Sequence, residues 1–376
     1  MKVYFYQRKT HRKRQRETVE HCPDEIEVIK PDEIDYIKDT VLSNRNINKK
    51  LNFKNKLVKF LPLNFRILKD TKIYEADYIY MWGCIPIVIS KPYILELDNP
   101  YVICYYNLFW FKLLKPIWKR ILLSDKLKHI VCISEACQKS VANELGEKVL
   151  NKTKVIYPYM AEQPKVLIKE KHSTVEFLFV STQFLLKGGR EVLHAFKTVA
   201  KQGYNFHVTI VSNLDEKQQK QYASPYVTFV KANLEKSVLH EKYFTKADVF
   251  ILPSYQDSFG MVYLEALSFG LPIIATRIYA TPEMVYDNQN GFLVDAPVHF
   301  YLEDYKLNPK YRNGGIVQEI TASGLYRDTA CQLSKCIIKL MDEPTRNQMS
   351  ACSLKIFEEK FSPNVRNKAF LSIFKD

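Results

Sequence analysis

The stretch Ala247–Val285 reads ADVFILPSYQDSFGMVYLEALSFGLPIIATRIYATPEMV and decides the fold class. Its short apolar run Val249–Leu252, interrupted by Pro253, is typical of a buried strand in a parallel sheet. A polar loop follows, and the pattern over Phe259–Phe269 then predicts a helix that a glycine and a proline terminate. Leu271–Thr276 reads as the next strand. The stretch therefore predicts a βαβ unit with a polar loop after its first strand.

The polar loop lies where open α/β sheets bind ligands, at the carboxyl end of a strand and the start of a helix. Free N–H groups and the helix dipole favour an anion at such a helix terminus. Asp257 lies in the loop, and Glu265 lies two helical turns into the helix. Both carboxylates are therefore expected to face one crevice.

Length and composition predict a two-domain globular protein. At 376 residues and 44.1 kDa the chain is too long for one ordinary core. An apolar content of 47% with 26% charged residues excludes a disordered chain. The sequence contains no run of 18 apolar residues, and its amino terminus lacks the apolar core of a signal peptide. We therefore expect a cytoplasmic protein.

The eight cysteines are scattered, and none forms a C-x-x-C pair. Cys132 and Cys137 are five residues apart, as are Cys331 and Cys336, which is not the spacing of a zinc ribbon or a redox site. Several lie in apolar segments, where free cysteine acts as a small hydrophobic residue. We expect reduced, structural cysteines, which fits the cytoplasm.

The net charge of +14 is concentrated in the amino-terminal half, where residues 1–165 carry 30 Lys and Arg against 19 Asp and Glu. Such a surplus favours an anionic partner, which is a membrane surface, a phosphorylated ligand or a nucleic acid. The densely basic residues 8–16 are interpreted as a solvated loop or helix start. No nucleic-acid-binding motif accompanies them, so no nucleic-acid partner is expected.

Residues 108–123, LFWFKLLKPIWKRILL, mix basic and apolar side chains. Lys112, Lys115 and Lys119 fall on one helical stripe, and Pro116 is expected to kink the helix. The expected apolar face consists of Phe111, Leu114, Trp118 and Ile121. Two interpretations stay open: this face lies on an anionic bilayer, or it packs on its own domain.

Strands alternate with helices in two series, which predicts two doubly wound parallel α/β sheets. The polar segment 160–172 marks the boundary. We predict an amino-terminal acceptor-binding domain over residues 1–165 and a carboxyl-terminal domain over 166–355, interrupted by an inserted loop near 298–326. The segment 356–376 is predicted to be a helix that packs back on the amino-terminal domain.

One predicted strand of the amino-terminal domain, residues 92–98, ends in two carboxylates. Glu96 and Asp98 alternate with leucines and so share one face of the strand. A substrate role and an ion pair or exposed sheet edge are both open. No glycine-rich loop follows the first strand of this domain, and Gly83 is the nearest candidate.

The residues of the opening stretch resemble the nucleotide-sugar-binding segment of family-4 retaining glycosyltransferases, which have the two-domain GT-B fold. The Glu-x7-Glu motif of that family is matched by Asp257-x7-Glu265, with Ser-Phe-Gly, Leu-Glu-Ala and Gly-Leu-Pro in their places. FLFVSTQFLLKGG is similar to the family's strand and loop that carry a diphosphate-binding lysine, here Lys187. The resemblance covers residues 129–294.

The resemblance implies a role for each matched residue. Lys187, Gly188 and the helix start at Ser258–Met261 would bind the diphosphate of a sugar nucleotide. Asp257 would bind sugar hydroxyls, and Glu265 the ribose hydroxyls. Lys187, Asp257 and Glu265 are the expected catalytic residues. The expected donor site consists of Ser181, Thr182, Lys187, Gly188, Ser258, Phe259, Gly260, Met261, Val262 and Glu265.

Two departures from the family pattern concern the donor site. Asp257 is one methylene shorter than the usual Glu. Ser181 and Thr182 replace the usual glycine and arginine, so one diphosphate-binding cation is missing, and Gln183 or Arg190 is the candidate replacement. On the acceptor or membrane side, the expected residues are Gly83, Asp98, Lys112, Lys115 and Lys119.

The resemblance implies a hexosyltransferase that uses a UDP- or GDP-linked sugar and retains the anomeric configuration. We expect a saccharide or polyprenyl-linked acceptor at the inner membrane face, in surface polysaccharide or lipopolysaccharide biosynthesis. The sequence has no Asp-x-Asp signature, and no metal or other cofactor is expected. The alternatives are a non-catalytic nucleotide-sugar-binding protein and a nucleotide-sugar epimerase of the same fold.

Overall fold

A computed structural model describes residues 1–7, 13–31, 63–87, 91–160 and 173–375. Most of the predicted boundary segment 160–172 and part of the basic run 8–16 lie outside these residues.

The first sheet is parallel throughout and has the order β2-β1-β4-β6-β7-β8. Its strands are β1 (Lys2–Phe5), β2 (Glu27–Ile29), β4 (Tyr78–Trp82), β6 (Tyr93–Leu97), β7 (Leu127–Cys132) and β8 (Thr153–Val155). A separate parallel pair joins β3 (Phe65–Ile67) to β5 (Ile85–Ile87).

The second sheet is also parallel and has the order β11-β10-β9-β12-β13-β14. Its strands are β9 (Val175–Val180), β10 (Phe206–Ser212), β11 (Val227–Lys231), β12 (Val249–Leu252), β13 (Ile273–Thr276) and β14 (Gly291–Val294). In chain order this is 3-2-1-4-5-6, so the direction of winding reverses between β9 and β12. Ligands bind at such a reversal in doubly wound sheets.

Helices connect the strands of both sheets. In the first half they are α1 (Lys13–Glu20), α2 (Leu108–Leu113), α3 (Lys115–Leu122), α4 (Glu135–Leu145) and α5 (Glu147–Leu150). In the second half they are α6 (Gly189–Ala200), α7 (Glu216–Tyr222), α8 (Lys236–Leu239), α9 (Met261–Ser268), α10 (Gly315–Ala322), α11 (Arg327–Lys339), α12 (Glu343–Ile356) and α13 (Pro363–Ser372).

The hydrophobic pattern explains why these elements pack as they do. All four residues of β12 are buried, as a strand covered by helices on both faces requires. On α6, the apolar side with Val192, Ala195, Phe196 and Val199 is fully buried. The predicted fold class, two doubly wound parallel α/β sheets, is confirmed.

The two sheets meet through specific polar contacts. The carboxylate of Glu283, from the second half, accepts hydrogen bonds from the backbone N–H groups of Glu135 and Ala136, both at 2.8 Å. It therefore caps the amino terminus of α4 in the first half, where the helix dipole favours a negative charge. Tyr157 donates its hydroxyl to the same carboxylate at 2.8 Å.

The segment 298–326 was predicted to be a loop, and this prediction is only partly right. It contains a bridge between Tyr301 and Leu307 and the helix α10. The segment also contacts the first half of the chain: the N–H of Leu307 donates to the hydroxyl of Tyr101 at 2.8 Å. Asn143 donates to the carbonyl of Asp304 at 2.7 Å. The insert therefore reaches across to the amino-terminal sheet.

The last helix, α13, packs on the strands of the first sheet. The ring of Phe370 lies 6.3 Å from that of Phe5 and 5.3 Å from that of Tyr80. Phe374 contacts Tyr78 edge to face at 5.4 Å. This cluster ties the carboxyl terminus of the chain to the amino-terminal sheet.

The segment 108–123 forms two helices, with the break at Leu114 rather than a kink at Pro116. Proline takes the second position of α3, where its missing N–H costs no helical hydrogen bond. Phe111 and Trp118 are 0% and 1% exposed. The face predicted as a possible membrane face is therefore packed inside its own domain.

A different set of apolar residues on the same two helices faces the solvent. Phe109, Leu113 and Ile117 are four residues apart and are 66%, 57% and 51% exposed. Lys112 and Arg120 are exposed beside them. We call Phe109, Leu113 and Ile117 the outer strip. Within the described residues, no helix is long and apolar enough to cross a bilayer.

Four of the eight cysteines, Cys84, Cys104, Cys132 and Cys137, are buried. All eight lie within the described residues and are free. Burial raises the pKa of the Cys104 thiol to about 12, which makes it a poor nucleophile.

Replacing Phe370 by Ala should lower the free energy of unfolding by about 3–5 kcal/mol, because the buried ring would leave a cavity. The matched control is Phe109→Ala, which removes the same side chain from an exposed position. Urea denaturation followed by circular dichroism measures both. Equal midpoints for the two variants would contradict the packing of α13 on the first sheet.

Candidate functional site

The loop between β9 and α6 forms one wall of the candidate site. Gly188 has a φ of +71°, and a Cβ there would lie 2.6 Å from the carbonyl oxygen of Pro253. Only glycine therefore lets this loop approach the loop that follows β12. The N–H of Tyr255 donates to the carbonyl of Leu186 at 3.0 Å and joins the two loops directly.

The loop between β12 and α9 forms the adjoining wall. The hydroxyl of Tyr263 donates to the carbonyl of Leu252 at 2.7 Å and ties the helix to its strand. Gly260 has a φ of +90°, and a Cβ there would lie 2.5 Å from the ring of Tyr263. This backbone is not helical, so α9 begins at Met261 rather than at the predicted Phe259.

Lys187 is the centre of the contacts between these loops. Its ammonium group donates to Asp257 Oδ2 at 2.7 Å, Ser254 Oγ at 2.8 Å and the carbonyl of Gln256 at 2.6 Å. The lysine and aspartate side chains are 11% and 22% exposed. The resemblance assigned Lys187 and Asp257 to one donor site although they are 70 residues apart in the sequence. In the structure their side chains are in direct contact.

Glu265 lies in the second turn of α9, and its side chain is only 5% exposed. Its Oε1 accepts a hydrogen bond from Lys236 at 2.6 Å, and its Oε2 lies 3.8 Å from His240 Nε2. Burial by itself would raise the pKa of this carboxyl group, but Lys236 and His240 lower it to about 2. The carboxylate is therefore ionised at neutral pH and acts as an acceptor.

Sequence reasoning missed Lys236 and His240. They lie on α8 and the π-helical turn after it, His240–Phe244, and reach Glu265 only through the fold. The ring of His240 packs edge-on against Phe244 and Phe269 at 5.5 and 5.2 Å. Nothing in the local sequence pattern marks a basic side chain 29 residues before Glu265 as its partner.

Asp98 faces this site from the first sheet. Its Oδ2 accepts hydrogen bonds from Ser258 Oγ at 3.2 Å and from the Tyr106 hydroxyl at 3.0 Å. We call the region where Asp98 meets the loop before α9 the cleft. The neighbouring Glu96 is buried and is bound by Arg14 and by Tyr80. The sequence left the roles of these two carboxylates undecided. In the structure, Glu96 forms a buried ion pair, whereas Asp98 lies in the cleft.

The other predicted donor residues lie around these loops. Ser181 follows β9, and its Oγ accepts from the N–H of Gln183 at 3.0 Å. Thr182, Met261 and Val262 are half-buried. Phe259 is 3% exposed and packs between Tyr157 and Phe361, at 6.4 Å from each ring.

Arg190, a candidate for the missing diphosphate cation, is engaged elsewhere. Its Nε donates to Glu191 at 3.0 Å, and its Nη2 donates to the carbonyl of Ile320 at 3.4 Å. Its guanidinium lies 5.9 Å from the ring of Tyr326. These contacts hold the Arg190 guanidinium against Glu191 and the insert, away from a diphosphate-binding role.

The predicted residues on the acceptor or membrane side have varied environments. Gly83 is buried in a turn with a φ of +61°, where a Cβ would lie 2.9 Å from Val102. Lys115 donates to Glu144 at 3.0 Å. Lys112 is exposed, and Lys119 is half-buried. Among the described residues, no group of three His, Cys, Asp or Glu side chains is arranged to hold a metal ion.

The arrangement is suited to an anionic ligand with hydroxyl groups. The free N–H groups at the start of α9 and the ammonium of Lys187 favour phosphate oxygens. The carboxylates of Asp257 and Glu265 accept hydrogen bonds from hydroxyls. Asp98 adds an acceptor from the opposite domain.

Comparison with known proteins identifies the second half of the chain. The sequence model of the family "Glycosyl transferases group 1" matches residues 174–301. This range contains β9 to β14 and the loops that carry Lys187 and Asp257. The match includes all six strands of the second sheet and none of the first.

Curated relatives match shorter segments. A D-inositol 3-phosphate glycosyltransferase of Arthrobacter sp. is 45% identical over 54 residues, which are 14% of this chain and 13% of the relative. The capsular polysaccharide biosynthesis glycosyltransferase CapM of Staphylococcus aureus is 25% identical over 113 residues, 29% of this chain and 30% of CapM. The matches thus span less than a third of either relative.

A solved structure resembles the whole chain. Anabaena Alr3699/HepE, crystallised with UDP and glucose, superimposes with a TM-score of 0.58 over 100% of this chain and 99% of its own, at 15% identity. The likeness at this identity concerns the fold. It confirms the GT-B architecture of two Rossmann-like domains.

The depressed pKa of Glu265 predicts a pH-dependent stability. The folded-state pKa of about 2 lies below the ordinary 4.5, so this group stabilises the fold fully above pH 4.5. The contribution, about 3 kcal/mol, is lost as the pH falls toward 2. The stability difference between wild type and Glu265→Gln should therefore shrink between pH 6 and pH 3.

Urea titrations at a series of pH values measure this difference. The exposed Glu241→Gln serves as the control and should show no such trend. A Glu265→Gln deficit that stays constant from pH 6 to pH 3 would contradict the ion-pair assignment.

Proposed function

We propose that this chain, whose residues 174–301 match the model of the group 1 glycosyl transferases, transfers a hexose from a nucleotide-sugar donor to a saccharide or lipid-linked acceptor. The donor binds the carboxyl-terminal domain, and the acceptor enters the cleft from the amino-terminal domain. Transfer retains the configuration of the anomeric carbon.

The observation that carries the proposal is the position of Lys187. Its ammonium is bonded to Asp257 in the loop before α9, and Asp98 of the other domain contacts Ser258 in that same loop. A cation, a helix amino terminus and two carboxylates thus converge where the two domains meet. A sugar nucleotide presents the complementary groups, a diphosphate and hydroxyls, side by side.

The proposed chemistry relies on stabilising the leaving group. Negative charge develops on the diphosphate as the glycosidic bond breaks, and the N–H groups at the start of α9 together with Lys187 stabilise it. Asp257 orients the sugar through its hydroxyls, and Glu265 holds the ribose. These protein groups carry the diphosphate without a metal ion, and activity is expected to survive EDTA.

On the acceptor side, Asp98 accepts a hydrogen bond from the attacking hydroxyl and holds it in the cleft. As the hydroxyl oxygen bonds to the anomeric carbon, its proton passes to the leaving diphosphate. The similarity of 29% of this chain to CapM, named as a capsular polysaccharide biosynthesis glycosyltransferase, supports a role in surface polysaccharide or lipopolysaccharide synthesis. A polyprenyl-linked glycan is the acceptor we favour. The UDP in the HepE structure supports a UDP-linked donor, with GDP as the other candidate.

Replacing Lys187 by Ala should lower transfer by about 10²–10³-fold, because the leaving diphosphate loses a preorganised cation. The matched control is Lys197→Ala, an exposed lysine on α6. Release of nucleoside diphosphate from a panel of UDP- and GDP-sugars, with cell-envelope glycans as acceptors, measures the rate. An unchanged rate in Lys187→Ala would exclude the site assignment.

The same panel separates the alternative functions. Binding without turnover would indicate a nucleotide-sugar-binding protein, and conversion of the donor sugar to its epimer would indicate an epimerase. The anomeric configuration of the product, read by NMR, tests retention.

We further propose that the outer strip places the enzyme on the cytoplasmic face of an anionic membrane. Three exposed apolar side chains flanked by Lys112 and Arg120 combine apolar insertion with attraction to acidic headgroups. The amino-terminal half also carries most of the positive charge. A surface location would bring the cleft to a lipid-linked acceptor.

Replacing Phe109, Leu113 and Ile117 together by Ser should abolish co-flotation with vesicles of phosphatidylglycerol and phosphatidylcholine. Each buried apolar side chain contributes about 1.5–3 kcal/mol, so the loss should exceed tenfold in partition. Val317→Ser, at a position 48% exposed on α10, is the control. Undiminished binding of the triple variant, or no binding of the wild type, would contradict the membrane proposal.

A further inference from the structure

Two carboxylates, one in the loop before α9 and one on the helix, are each held by a lysine from a different connection. Lys187 holds Asp257 at 2.7 Å just before the helix, and Lys236 holds Glu265 at 2.6 Å in its second turn. Gly260 and Glu265 are five positions apart, which is about 7.5 Å along the helix axis. The two ion pairs therefore lie just before the first turn and in the second turn of the same helix.

In this arrangement the positive and negative charges of the candidate site balance each other. Each lysine is balanced by one carboxylate, and a phosphate ligand that entered would add negative charge beside two existing carboxylates. Binding becomes favourable when the ligand takes over the ammonium groups and the carboxylates receive hydroxyl donors in exchange. Both replacement contacts are charge-assisted hydrogen bonds, which are stronger than neutral ones.

Among the described residues, the positions considered for the missing diphosphate cation do not supply this charge. Ser181 and Thr182 are neutral, and Arg190 is bonded to Glu191 and to the insert. Lys187 is therefore the first cation available to bind the phosphates of a nucleoside diphosphate. The N–H groups at the start of α9 and a cation from another element are the groups left for the second phosphate.

Lys236 has the properties that such a group requires. Its side chain is 28% exposed, whereas that of Glu265 is only 5% exposed. The lysine thus reaches a buried carboxylate from the solvent side, on a flexible four-carbon stem. When the ammonium swings away, Glu265 retains His240 at 3.8 Å.

We propose that Lys236 is a second phosphate-binding residue, which leaves Glu265 for a donor phosphate while the ribose hydroxyls take its place on that carboxylate. This inference rests on the proposed function, because it needs a nucleoside phosphate in the site. The first phosphate of a nucleotide is attached next to the ribose. A cation released from the ribose-binding carboxylate therefore has only a short distance to move.

The exchange predicts that Lys236 affects the phosphate part of the ligand and not the nucleoside part. In Lys236→Met, the dissociation constant of UDP or GDP should rise by about 10–100-fold. The dissociation constants of uridine and guanosine should stay the same or fall, because the lysine no longer competes for Glu265. Lys236→Arg should recover most of the diphosphate affinity.

Isothermal titration of the full chain with uridine, UMP, UDP and the three guanosine counterparts measures these constants. Lys242→Met, an exposed lysine on the neighbouring turn, is the matched control and should bind like the wild type. If Lys236→Met is unstable, Lys236→Gln replaces it. The dissociation constant of UDP or GDP should then be higher for Lys236→Gln than for Lys236→Arg, while those of the nucleosides should be similar.

Two results would overturn the inference while leaving the proposed function intact. Equal weakening of nucleoside and nucleoside diphosphate would mean that Lys236 only positions Glu265. Unchanged affinity for both would mean that it has no part in binding. A wild-type chain that binds none of the six compounds would overturn the proposed function, and the inference with it.

Discussion

The ion pair between Lys187 and Asp257 is the contact on which the candidate site depends. It joins the loop after β9 to the loop after β12, at the point where the winding of the second sheet reverses. The close approach of these loops requires Gly188, because any side chain there would collide with Pro253. The same contact therefore fixes the local fold and presents a cation beside the start of a helix.

Hydrogen bonds between the two halves of the chain hold the two sheets together around the candidate site. Glu283 caps a helix of the first half, and the insert reaches Tyr101 through Leu307. Asp98 meets Ser258 directly. The proposed donor and acceptor groups are thus held in fixed relative positions, as a transfer between two bound substrates would require.

Much of this arrangement could be predicted from local patterns. The apolar run Val249–Leu252 gave the strand at its observed bounds, and the resemblance paired Lys187 with Asp257 across 70 residues. Contacts that arise only from tertiary packing were missed. The contacts of the insert 298–326 with the first half of the chain, and the contact of Lys236 with Glu265, depend on how distant elements pack against each other. The hydrophobic periodicity of a segment does not contain this information. The apolar face of 108–123 was ambiguous for the same reason, since burial depends on the neighbours of a helix.

The central claim is that the start of α9 and Lys187 form a phosphate site for a sugar nucleotide. A crystal structure of the chain with UDP or GDP tests it most directly. The account predicts phosphate oxygens within hydrogen-bond distance of the N–H groups at Gly260 and Met261 and of the Lys187 ammonium. A nucleotide bound elsewhere, with Lys187 still on Asp257, would contradict it.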